Sequence, residues 1–188
     1  MWWWVSVFGW VFVTLLLGGG LALAIIASRR GRHWFVAPVA AIVLVIIGIA
    51  IVRSIHTAHP MFTMAITVLL IGIGVVGGSP AVITVLELAG SDKDELGEHG
   101  GILVTGKTAK EPAREILRGG ATIGHLERLL IIGAALIGQF AAVAVVVAVK
   151  GLGRFNELET AAARERFIIG TLASIVWAGA CVAPLIIG

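Results

Sequence analysis

Cysteine is nearly absent from this chain: Cys181 is the only one in 188 residues, so no intrachain disulfide framework can form. Charge is scarce as well, at 13%, where a soluble domain carries roughly 25%. The signatures of common hydrolases are missing. There is no H-E-x-x-H, no G-x-S-x-G, no aspartate cluster for a metal and no cysteine–histidine constellation. A membrane enzyme therefore ranks last among the functions considered, and no metal or cofactor is expected. What fills the chain instead is apolar: 59% of its residues are hydrophobic and its mean hydropathy is +1.04. That excess is too large for one globular core and excludes disorder and collagen-like repeats. The pI near 9.6 accompanies a formal charge of only +3, and the basic residues flank apolar runs. They read as topology signals rather than as a nucleic-acid footprint.

A transmembrane helix needs about 20 apolar residues. The first candidate, Trp2 to Ala27, is uncharged and is followed by Arg29, Arg30 and Arg32. It lacks the positive n-region of a cleaved signal. Trp2, Trp3 and Trp4 suit an interfacial anchor, with Trp10 deeper, and Gly18-Gly19-Gly20 offers a bend or a close helix contact. A second span runs from Trp34 to Val52 and a third from about Met61 to Val76. Gly77-Gly78-Ser79-Pro80 then interrupts the chain. Ser79 suits a helix cap and Pro80 the first helical position. A short amphipathic helix near the interface is expected over Ala81 to Leu88, and the last span over Phe167 to Ile187.

The stretch from Ala121 to Lys150 is read through its charges. Arg29, Arg30 and Arg32 put the first loop inside. Lys93, Lys107, Lys110, Arg114 and Arg118 then also fall inside after three spans. A single span next would leave Lys150, Arg154, Arg164 and Arg166 outside. A hairpin turning near Gly138-Gln139 returns them inside and leaves Arg53 as the lone basic residue outside. The expected fold is thus an all-α polytopic membrane bundle of about six transmembrane helices with both termini outside. It divides into residues 1–89 (three spans and the interfacial helix), 90–120 (a cytoplasmic loop) and 121–188 (hairpin and last span).

Two loops carry recognisable patterns. His56 and His59 lie three apart in the outer turn, which is too few ligands for a metal. The inner segment is glycine-rich and of mixed charge, with a turn or two of helix expected around Pro112 to Leu117. Within it Gly101 to Thr108 fits G-x-x-x-x-G-K-[ST]. A nucleotide-binding loop needs a strand before its glycines and a helix after its Lys-Thr. Here the strand-like residues lie inside the motif and Pro112 interrupts the required helix, so nucleotide binding is not inferred.

Ionisable groups at membrane depth are costly and mark candidate sites. Glu127 and Arg128 precede the expected turn by about 11 residues and Lys150 follows it by about 11, roughly 16 Å along each arm. The arms therefore bring Glu127, Arg128 and Lys150 to similar depth, with Arg154 one turn further on and Glu165 and Arg166 opening the last helix. A Glu127–Lys150 or Glu127–Arg154 pair is expected. One reading is an ion-pair clasp using Glu127 and Glu165. The other is a cytoplasm-facing basic pocket in which Arg128, Lys150, Arg154 and Arg166 bind an anionic solute or lipid head group. Gly170, Ser174 and Ala178 form a small-residue stripe, and Gly74 with Gly78 suggests another. The Thr171 and Ser174 hydroxyls are expected to bond their own backbone. His125 is read as a helix-end histidine, and Cys181 is given no chemistry.

Gly124-His125-Leu126-Glu127-Arg128, then Lys150-Gly151 with Arg154-Phe155, then Glu165 to Thr171 with Ser174, resemble the C-terminal half of a family of uncharacterised bacterial multi-pass membrane proteins. That family is defined only as a domain of unknown function. The resemblance covers about 55 residues, Thr122 to Ala178. It implies a location in the bacterial cell membrane and one shared core for Glu127, Arg128, Lys150, Arg154, Glu165 and Thr171, without an activity. His125 departs from the apolar residue expected there. The expected function is small-solute or lipid-head-group binding or transport, slightly ahead of an accessory structural subunit. Membrane lipids, a protein partner or a second copy are the expected partners, and nucleic acid is not.

Overall fold

The computed structural model of the chain describes residues 2–30, 36–52, 59–89, 102–104, 114–116, 120–153 and 161–187. Among these are seven α-helices: α1 (Trp2–Arg30), α2 (Val36–Val52), α3 (Pro60–Val76), α4 (Gly78–Leu88), α5 (Gly120–Leu136), α6 (Phe140–Gly153) and α7 (Ala161–Ile187). Two short strands, β1 (Ile102–Val104) and β2 (Arg114–Ile116), form an antiparallel ladder pairing Leu103 with Glu115. Of the helical turn expected around Pro112 to Leu117, the described part, Arg114–Ile116, is a strand instead. β-Branched Ile116 pairs across to Ile102, and the chain's helical architecture is broken there by a local ladder. β1 also lies inside the phosphate-loop-like motif, where such a loop would have to curl.

The helices are apolar on both faces, as expected where lipid replaces water. On α1, Val13, Leu17, Ala24 and Ala27 point inward while Phe8, Phe12 and Leu15 are exposed. On α3, Ile66, Leu70 and Ile73 are buried while Met61, Met64 and Val68 face out. Trp10 joins the main core with Leu17, Val43, Ile46, Leu70 and Cys181. A second cluster gathers Ile131, Ile132 and Ala135 of α5 with Ala178 and Val182 of α7. α7 packs against α2, α3, α4 and α5. α5 and α7 therefore share one bundle with the N-terminal helices.

Among the described residues two helices are long and apolar enough to cross a membrane, through Val7–Arg29 and Arg164–Ile187. α3 and α4 make a third candidate if the pair, bent by 45°, is one broken span. α2, α5 and α6 have 17, 17 and 14 residues, shorter than the usual 20 or so. α1 is continuous through Gly18–Gly20. A β-carbon on Gly20 would touch Ile42 and Ile73, so of the three glycines this one marks a close helix contact. α3 opens as its sequence suggests, with Pro60 at its first turn and His59 as cap, His59 Nδ1 accepting from Met61 N–H at 3.4 Å.

The α3–α4 break differs from expectation. Gly77, in an αR conformation, is the residue preceding α4, and the ladder continues through it, Ala81 N–H donating to the Gly77 carbonyl at 3.1 Å. Ser79 is therefore inside the helix rather than its cap, and α4 continues α3 at an angle rather than starting afresh. The final helix also begins earlier than expected, so Glu165 and Arg166 sit in its second turn.

Candidate functional site

The hairpin is set by glycine. Gly138 has φ +73°, and the N–H groups of Gly138 and Gln139 donate to the carbonyls of Ala135 and Ala134 at 3.0 and 2.8 Å. This pair of bonds is a Schellman ending, which a left-handed glycine allows at little steric cost. It turns α6 back along α5, with Gln139 exposed at the tip.

Eleven or twelve residues from that turn, Lys150 Nζ of α6 donates to Glu127 Oε2 of α5. The side chains are only 21% and 13% exposed, so water screens the pair less than on a surface. α7 closes the third side of a cleft beside it. Its polar lining is Glu127, Lys150, Thr171 and Ser174, and Ile131, Val146 and Ile175 make the apolar wall. The space in which a water could sit is about 10 Å³, close to the minimum for one molecule.

Thr171 departs from the expected local bonding. Thr14, Thr67 and Thr84 each donate to the carbonyl four residues back, at 2.8, 2.8 and 3.0 Å. The buried Thr171 hydroxyl bonds no group among the described residues.

Arg128 is placed apart from this cleft. It is 2% exposed, and its side chain leaves α5 for the α3–α4 break. There Nε donates to the Val75 carbonyl at 2.8 Å and Nη2 to Ser79 Oγ at 2.9 Å. Gly78 provides the room: a β-carbon on it would lie 2.3 Å from Arg128 Cδ. Trp177 of α7 reaches the same break, its Nε1 donating to the Ile73 carbonyl at 3.3 Å. Pro80 carries no N–H, which removes the usual partner of the Val76 carbonyl. Arg128 and Trp177 bring donors to the neighbouring Val75 and Ile73 carbonyls, the latter also accepting from Gly77 N–H at 2.8 Å.

The remaining expected residues are more dispersed. Glu165 is exposed and Arg166 half-buried on α7. Arg154 and His56 lie outside the described residues. His125 Nδ1–H bonds the Ala121 carbonyl of its own helix at 2.5 Å. Ser174 and Ala178 are buried, and a β-carbon on Gly170 would meet Val82 of α4, so the small-residue stripe faces α4 and α5. Gly74 does the same for α3, against Ile132 and the buried Cys181.

Ser79 is expected from the sequence only as a helix cap, and nothing there points to it or to the Val75 carbonyl as partners of Arg128. The available signal was the paired glycine before a helix-breaking proline, which leaves room for a long side chain at a bend. No family model, curated protein or solved structure matches this chain.

Proposed function

We propose that the chain is a multi-pass protein of the cell membrane that works as a structural or accessory subunit, its charged set serving as internal fastening. One observation carries this reading. Two of the four basic side chains expected to form a pocket are engaged inside the bundle, Arg128 with the α3–α4 break and Lys150 with Glu127. The cleft beside the pair is shallow and lined largely by apolar side chains. Six membrane helices remain the proposed count. α5 and α6 span about 26 and 21 Å at 1.5 Å per residue, so the hairpin reaches most of the way across and returns. A partial crossing leaves the topology unchanged: both arms end inside, and both termini stay outside.

α6 supplies a surface for a partner, since it buries none of its residues and exposes Phe140, Val145, Val149 and Leu152. Native mass spectrometry of detergent-purified protein tests the proposal. A second protein chain, of this sequence or another, is the expected companion. A single chain carrying an anionic lipid or metabolite that Lys150→Ala removes would overturn it in favour of solute binding. That second reading has its own support in the unbonded Thr171 hydroxyl, which faces the cleft.

A further inference from the structure

We propose that the cleft between α5, α6 and α7 is a hydration site, in which one ordered water bridges Thr171 Oγ1 to the Glu127–Lys150 pair. The inference holds whether or not the chain works as a subunit, because it concerns only how the bundle satisfies its interior.

Four observations converge. The Thr171 hydroxyl is 92% buried by its residue's exposure of 8%, and no described group bonds it. Threonines 14, 67 and 84 of the same bundle bond back to their own helices, whereas the buried Thr171 hydroxyl faces a cleft. The cleft has room for about one water, and a buried water needs two to four polar partners. Those partners are present. Lys150 has three N–H donors, one of them given to Glu127, and the Glu127 carboxylate has a second oxygen. Thr171 can both donate and accept. Ile131, Val146 and Ile175 line the apolar side of the site.

The sign of one substitution separates a bridged hydroxyl from an orphaned one. Thr171→Val keeps the shape and removes the oxygen. If the hydroxyl were truly unbonded, its removal would raise the melting temperature, because a buried unsatisfied group is itself a cost. If a water joins it to the ion pair, removal lowers the melting temperature, by about 2–4 °C in a chain of this size. Thr171→Ser retains the hydroxyl and loses less than Thr171→Val. In a Glu127→Gln, Lys150→Met background the Thr171→Val loss shrinks, since the bridge has lost its charged end. A rise or no change with Thr171→Val would overturn the site. So would a Thr171→Val loss that is undiminished in the double-variant background. Melting should respond equally to sodium and choline chloride. Stabilisation by sodium alone would put a cation, not a water, in the cleft and overturn the proposal as well.

Discussion

Adding one methyl group at Gly78 tests whether the Arg128 guanidinium fastens the α3–α4 break. A β-carbon there would stand 2.3 Å from Arg128 Cδ and 2.5 Å from Nε. Neither approach is sterically possible, so the helix backbone or the arginine must move. The long side chain yields more easily than two packed helices, and its movement breaks the bonds at 2.8 and 2.9 Å to Val75 and Ser79. A hydrogen bond from a charged group contributes about 1.5–3 kcal/mol. The two share one side chain, so Gly78→Ala should destabilise the bundle by about 2–4 kcal/mol. At roughly 2–4 °C per kcal/mol for a chain of this length, melting should fall by about 4–16 °C. Tryptophan fluorescence during heating in detergent reads it, with Trp177 donating to Ile73 in the same break as a local reporter. Arg128→Ala removes the clash and the two bonds together. The double variant should therefore lose at least about 1 kcal/mol less than the sum of the singles. A Gly78→Ala protein that melts like the wild type, or strictly additive losses, would refute the fastening.

Glu127→Ala should lower folded yield in detergent and cost about 2–4 kcal/mol, because it strands the half-buried Lys150 ammonium; Glu127→Gln with Lys150→Met should recover much of it. Wild-type yield and melting for Glu127→Ala would sink the clasp. Gly138→Ala forces a side chain into φ +73° and should cost about 1–2 kcal/mol, with Gly138→Asn milder; equal melting of both variants would mean the turn does not set the hairpin. Gly74→Ala brings a β-carbon to 2.7 Å from Ile132 Cδ1 and 3.2 Å from Cys181 Cβ. It should cost about 1–3 kcal/mol in calorimetry, and Ile132→Val, which shortens the opposing side chain, should restore part of that.

The sequence by itself determined the class of environment and the main helices. Apolar runs of the observed length make α1, α3 and α7 legible, because in lipid a backbone must satisfy its own polar groups by forming helices. The charge distribution and Gly138 likewise carried the hairpin, and counting equal lengths back from the turn brought Glu127 opposite Lys150. Local strand pairing in the 90–120 segment was hidden, since three-residue strands have too little periodicity to read. Only tertiary structure decided where Arg128 goes. Glu127 and Arg128 are neighbours in the chain, but successive residues on a helix point about 100° apart. One side chain thus met α6 and the other met the kinked α3–α4 pair, 53 residues away in sequence from Arg128. The same holds for Thr171. Its type gives no hint that its hydroxyl would leave its own helix, and only the packing of α7 against α5, on which α6 folds back, put it beside an ion pair.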